Sequence, residues 1–387
     1  MLLKMRLTQE NIYLFSNFLF NLGRVLPHAV LTIILLNKGL NLSEISLIQS
    51  MFMVAVLISE FPSGILADRF SVKIMYQLAL IFIAISYLMV YLTSNFYLLC
   101  ISWGIYGLSA ASMSGTLDSY FVKLYRNDED DIKPFVVKKN SSMMYSALFG
   151  GLFGSVLYNV INTNIYVVSI VFFIIALIQV TLGISVQIDE HSNEQVLSDF
   201  IKTAVLDLRN NRNLGLVVIQ LVLFQVITQL YFQYWQVLFL DRSFDSTSFG
   251  VIYVVMQLVA ILSNRFFSKL KYSLKSEAYM IIMMTLLFSS SIVTTKLPFL
   301  ITIFLFQVPF NIYTNQLNLD VQRLVSKDKI SSSVSLVGTL CMVSSIVILW
   351  IFAVLLKFFS IDSLILATIV FFFVTSIIVL KFKSKNY

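Results

Sequence analysis

The stretch Gly64-Ile65-Leu66-Ala67-Asp68-Arg69-Phe70-Ser71-Val72-Lys73 sets a short charged turn between two long apolar runs. Part of it returns later in the chain: ILADRFSVK at 65–73 recurs as ILSNRFFSK at 261–269, an offset of 196. Ile65/Ile261, Leu66/Leu262, Arg69/Arg265, Phe70/Phe266 and Lys73/Lys269 are identical pairs. Both copies close the second apolar run of their half. A second echo pairs Leu117-Asp118 with Leu319-Asp320, at the end of the fourth run of each half. Chance similarity between basic turns does not account for matched positions at nearly equal offsets, so the chain reads as a duplication of one six-helix unit.

Outward from that turn, composition excludes an ordinary soluble protein. Of 387 residues 58% are hydrophobic and only 12% charged, against about 25% charged in a typical soluble domain. A crossing helix needs ~20 mainly apolar residues. Twelve such segments are present: 11–36, 43–67, 73–93, 96–124, 139–161 and 164–186 in the first half, then 212–240, 246–267, 274–295, 298–324, 332–358 and 360–381. The expected architecture is an all-α membrane protein of twelve transmembrane helices. Residues 1–186 and 212–387 form two six-helix bundles, joined by a polar cytoplasmic linker at 187–211.

Charge placement tests the count. With the amino terminus inside, only Lys38, Arg242, Lys296 and Lys357 of the 27 Lys and Arg fall on the outer side, and Arg24 lies within the first span. The rest are cytoplasmic, the positive-inside pattern. Both termini are therefore expected in the cytoplasm. The basic balance belongs to that pattern and not to nucleic acid. Cys100 and Cys341 both sit in apolar segments, and two histidines cannot build a His-rich centre. Neither metal nor cofactor is expected. No nucleophile–base pair or phosphate-binding glycine loop appears, so the chain is not expected to be an enzyme.

The turn at 64–73 resembles the loop between helices two and three of the major facilitator superfamily, whose pattern is G-x-L-A-D-R-x-G-R-K. Gly64, Leu66, Ala67, Asp68, Arg69 and Lys73 match it, and Ser71 and Val72 replace the usual Gly and Arg. The resemblance covers the whole chain and implies that fold. It also implies a conformational switch at Gly64, Asp68, Arg69 and Lys73, with Asp118 and Asp320 as further latches at the inner boundary. In the fifth span, Ser146-x3-Gly150-Gly151-x2-Gly154-Ser155 is similar to the antiporter motif G-x3-G-P-x2-G-G. A face for tight helix packing through Gly150, Gly151 and Gly154 explains it equally well. The fourth-span R-x3-G motif is broken, because Trp103 stands where Arg is usual ahead of Gly107.

Polar stripes point to the site. Asn17, Asn21, Arg24 and His28 share one face of the first span. Gln225, Gln229, Gln233 and Gln236 share one face of the seventh, and Gln307, Asn311, Asn315 and Asn318 one face of the tenth. Lipid cannot solvate them, so they face protein or a water-filled cavity. The superfamily resemblance implies a central cavity lined by spans one, four, seven and ten, with Tyr106, Ser109 and Ser112 the nearest equivalent on the less polar fourth. Arg24 costs roughly 2.5–3.5 kcal/mol at mid-membrane even on lenient scales. Glu60 is either its counter-ion or a proton carrier, and His28 could share the coupling role.

The functional expectation is a secondary active transporter exporting small amphiphilic compounds in exchange for protons. Resemblance of EFPSGILADR and SGTLDSY to bacterial multidrug and macrolide-type efflux members supports it. An importer of a nutrient or organic anion and a non-transporting sensor are the alternatives. The expected setting is a bacterial cell membrane, with a small-molecule substrate, the proton and lipid as partners and the chain as a monomer.

Overall fold

The computed structural model describes residues 2–114, 116–125, 129–185, 211–267, 269–270, 273–325 and 330–384; within these, the side chains of 2–7, 60–70, 129–131, 330–332 and 384 are not described. The described residues fold into α-helices, with two single 3₁₀ turns at Asn162–Asn164 and Ser246–Ser248. In chain order these helices are α1 Leu2–His28, α2 Leu31–Asn37, α3 Leu42–Phe70, α4 Val72–Leu92, α5 Phe96–Met113, α6 Leu117–Tyr125, α7 Glu129–Ile161 and α8 Ile165–Gly183. They continue with α9 Arg212–Asp241, α10 Phe249–Phe267, α11 Leu274–Val293, α12 Lys296–Leu324, α13 Ile330–Leu355 and α14 Ile361–Ser384.

Ten stretches among the described residues are long and apolar enough to cross a membrane, or eleven if the bent pair Thr8–His28 and Leu31–Asn37 forms one span. The protein is thus a multi-span α-helical membrane protein. One of the ten, Ile132–Gly183, holds both α7 and α8.

Two expected spans are interrupted. The first bends by 51° between α1 and α2, where Pro27 lacks the N–H that would bond the Gly23 carbonyl. There Tyr87 supplies an outside donor, its hydroxyl bonding the Arg24 carbonyl at 3.0 Å. The fourth divides into α5 and α6: Ser114 leaves the helix in an extended conformation, and the Thr116 hydroxyl donates to the Met113 carbonyl at 2.9 Å. Side-chain caps start several of the others. Asn95 accepts from the Tyr97 and Leu98 amides, Asn211 from Leu214, and Ser273 and Ser276 cap each other at α11.

The helices group into two compact units. One comprises residues 1–192 with Asp245–Val254, and the other 193–244 with 255–387. In the first unit α1 packs on α7 and α8, α5 on α3 and α4, and α4 on α8. Small residues set these distances. A Cβ on Gly107 would lie 2.7 Å from the Ala55 Cβ, and one on Gly150 2.9 Å from the Val25 Cβ. At Gly154 it would meet the Leu26 carbonyl oxygen. The neighbouring face of α7 holds the start of α10. There Gly151 lies under the Tyr253 ring, and the Gly250 amide donates to the Ser155 hydroxyl at 3.0 Å. The small-residue motif of the fifth span therefore does close packing on both of its sides.

The turn around Ser71 joins α3 to α4. Ser71 stands there at φ 107 and ψ 133, a backbone region favouring glycine, at the position where the superfamily pattern carries Gly. Ser71→Gly should stabilise the protein by about 1 kcal/mol, because relief of strain outweighs the few tenths lost from the cap. Thermal unfolding of the two purified proteins checks this. An equal or lower midpoint for the variant would count against a strained turn. Two residues on, Lys73 Nζ donates to the Thr181 and Ile184 carbonyls at 2.9 and 2.5 Å, closing the end of α8.

In the second unit α9 packs on α12, α13 and α14, and α11 on α12 and α14. An ion pair joins α11 to α14: Lys383 Nζ lies 2.7 Å from Glu277 Oε1, with both side chains at most 5% exposed. Breaking one side of a buried pair costs about 3–5 kcal/mol, whereas removing both charges is often neutral. Lys383→Met should therefore lower stability by about that amount, and Glu277→Gln with Lys383→Met should recover most of it. Unfolding midpoints of both variants in detergent decide the matter.

Candidate functional site

The polar face of α1 forms a continuous hydrogen-bonded column in the first unit. Asn21 Nδ2 donates to the Asn17 carbonyl at 2.8 Å and to Asn17 Oδ1 at 3.1 Å. Arg24 Nη2 donates in turn to Asn21 Oδ1 at 3.3 Å. One turn further, His28 Nε2 meets the Tyr106 hydroxyl at 3.0 Å, which brings a first-span and a fourth-span candidate together. Asn17 and Asn21 are buried, and Arg24 and His28 partly so.

Aromatic rings fix this end of the column. Tyr106 lies 4.7 Å from Phe52 and 6.0 Å from Tyr87, centroid to centroid. The hydroxyls of Tyr106, Tyr87 and Tyr253 interact with the guanidinium, that of Tyr106 through a hydrogen bond. No described carboxylate lies within ion-pairing distance of Arg24, and its buried Nε has no hydrogen-bond partner, like the buried Nδ2 of Asn17. The void beside His28, lined by Pro27, Tyr87, Trp103, Tyr106 and Tyr166, measures only about 10 Å³. That is room for no more than a water molecule. Trp103, in place of the superfamily arginine, is buried and donates its indole N–H to Gln49 Oε1 at 3.2 Å.

The second unit contains a cavity of about 550 Å³ among α9, α12 and α13. Gln225 and Asn311 line it, and so does Asn318 from the tenth-span stripe. Gln229, Gln233, Gln236 and Gln307 do not. All four are buried, and Gln307 Nε2 bonds the Tyr231 hydroxyl at 2.5 Å. Asn315 Nδ2 bonds Asn264 Oδ1 at 2.6 Å. The stripes therefore divide between cavity lining and ties from helix to helix. Sequence reasoning left out Thr228, Thr314 and Gln322, which also line the cavity. Helical spacing could have found them: each lies three or four residues from a stripe member.

The side chains of Glu60, Gly64, Asp68 and Arg69 lie outside those described. Residues 186–210, nearly all of the expected linker, also lie outside the described residues. Asp118 pairs with Lys139 at 2.5 Å, and Asp320 Oδ1 accepts from Gln316 at 2.7 Å. A buried carboxylate at the start of α1 went unnoticed in the sequence: Glu10 accepts from the Tyr125 hydroxyl at 2.6 Å and from Lys138 at 2.9 Å.

Apolar helices that carry a polar column in one unit and an amide-lined cavity in the other define a multi-span membrane protein with buried polar groups. Residues 13–349 match the Major Facilitator Superfamily, and the chain belongs to it. Such membership makes it a transporter and not an enzyme. No curated protein matched. Solved structures similar in fold include the nucleoside transporter NupG, at TM-score 0.77 and 13% identity over 97% of each chain. Another is a bacterial homolog of the human lysosomal transporter Spinster in an inward-facing, unoccupied conformation. It has TM-score 0.74 and 10% identity over 97% of this chain and 96% of that one. A POT family transporter in complex with a thioalcohol-conjugated peptide matches at TM-score 0.73 and 14% identity, with the same coverage. At these identities the likeness is one of fold.

Proposed function

We propose that this protein is a secondary active transporter that exports small amphiphilic compounds (drugs, antibiotics or related natural products) by alternating access in exchange for protons. Arg24 carries the reading. A mid-membrane guanidinium without a described carboxylate partner is stabilised by a substrate group that accepts hydrogen bonds, such as a carboxylate, carbonyl or phosphate. Asn17, Asn21, His28 and Tyr106 position it, and the amides of the seventh and tenth spans contribute hydrogen bonds. His28 and Glu60 are the candidates for carrying the proton, and Gly64, Asp68, Arg69, Lys73, Asp118 and Asp320 for the conformational switch.

Twelve spans, both termini in the cytoplasm, a bacterial cell membrane and a monomer complete the proposal, with 1–186 and 212–387 as the two bundles. The 52-residue stretch Ile132–Gly183 supports the higher count. At 1.5 Å per residue it would be roughly 78 Å long, more than twice the ~30 Å hydrocarbon core, and it already contains two helices. A second reading, import of a nutrient or organic anion, draws on the same Arg24, which has no described carboxylate partner. The fold-level neighbours, among them a nucleoside transporter and a POT family transporter in complex with a conjugated peptide, are compatible with either direction.

The test uses cells expressing the protein and loaded with norfloxacin, an amphiphile bearing a carboxylate. Expression should lower its retention, and a protonophore should restore it. Higher retention in expressing cells would favour import.

A further inference from the structure

The amide-lined cavity of the second unit has a property that the column in the first unit lacks: among the described residues nothing charged lines it. Its wall consists of aliphatic and phenylalanine side chains, four amides (Gln225, Asn311, Asn318 and Gln322), two threonines, Gly338 and Cys341. An ion entering such a pocket would lose hydration with no opposite charge in return, which costs far more than burying a neutral polar group that finds hydrogen bonds. Amides offer donors and acceptors together. The Asn311 nitrogen is engaged by the Gln307 carbonyl at 2.7 Å, which leaves its oxygen to accept. Gln225 Oε1 takes the Ser345 hydroxyl at 3.3 Å, and its amide also contacts the Cys341 thiol, which leaves one N–H to donate.

Beside these amides stands Phe232, 61% exposed. Its ring makes a T-shaped contact with the buried Phe310, with centroids 5.9 Å apart at 73°. An exposed aromatic ring next to paired donors and acceptors suits a flat ring with polar edges.

We infer that this cavity is a subsite for the uncharged, planar aromatic or heteroaromatic part of a ligand, which rests on Phe232 and is hydrogen-bonded at its edge by Gln225 and Asn311. The inference rests on the transport reading and narrows its substrate class: the part of the ligand held in this cavity is neutral and flat.

Cys341 lines the cavity as a free, partly buried thiol and can report its occupancy. In a Cys100→Ser background, the rate of Cys341 alkylation by N-ethylmaleimide is measured on purified protein in nanodiscs. Chloramphenicol, nicotinamide and adenosine serve as neutral probes, and benzoate and tetraphenylphosphonium as charged ones. At saturating concentration at least one neutral probe should slow alkylation at least fivefold, and neither ion should. Gln225→Ala with Asn311→Ala should abolish that protection, while Arg24→Ala should leave it intact. Equal protection by an ion, no protection by any neutral probe, or a thiol that does not react at all would each overturn the subsite. Protection that persists in a protein showing no proton-dependent export would keep the subsite and remove the export reading.

Discussion

Arg24→Ala should lower norfloxacin export roughly ten- to a hundredfold and leave the thermal unfolding midpoint unchanged or slightly raised. Hydrogen bonds to a charged group contribute about 1.5–3 kcal/mol each, and every 1.4 kcal/mol is tenfold. Within the protein the guanidinium donates to Asn21 at a long 3.3 Å and bonds the Tyr106 hydroxyl, and its Nε has no partner. Little native stabilisation is lost with it, and a desolvated charge is removed. Arg24→Lys keeps the charge but not the planar fork, so partial export is expected. Cell export assays and thermal unfolding of the purified variants give both quantities. A midpoint that falls together with export would make Arg24 a structural counter-ion, its partner among the undescribed side chains, with Glu60 the first candidate.

The second large effect is structural. Gly154→Val should destabilise the first unit by about 3 kcal/mol or more, the upper end of overpacking costs, and leave little monodisperse protein after extraction. Even a Cβ at that position meets the Leu26 carbonyl of α1, so two helix backbones must separate. In contrast, Gly104→Ala should be nearly silent, because nothing lies within 4 Å of its added Cβ. Size-exclusion profiles and unfolding midpoints of the two variants make the comparison. A well-behaved Gly154→Val would show that α1 and α7 do not touch as closely as described.

Much of the fold could be seen in the sequence because membrane crossing imposes length, apolarity and charge sidedness on each segment separately. The bend after Arg24 was visible in Gly23 and Pro27. The break between α5 and α6 was not, since the apolar pattern runs through residues 96–124 without a proline. The meaning of the stripes was only half visible. A face of amides shows that hydrogen-bonding partners exist without showing whether they are solute or protein. Gln307 bonds Tyr231 on α9, while Asn311, one turn on, lines the cavity. Contacts that join distant segments left no local mark: Glu277 meets Lys383 across 106 positions, and Glu10 meets Lys138 across 128. Ser71 is an intermediate case, where the glycine of the superfamily pattern marked the position and the backbone angle supplied the reason.

The most direct test of proton-driven export is norfloxacin flux in proteoliposomes containing only this protein, with and without an imposed pH gradient. Flux that requires the protein, runs against the drug gradient when protons flow the other way, and stops when the gradient is collapsed is the predicted result. Flux that ignores the pH gradient, in vesicles whose inserted protein is folded, would contradict proton coupling.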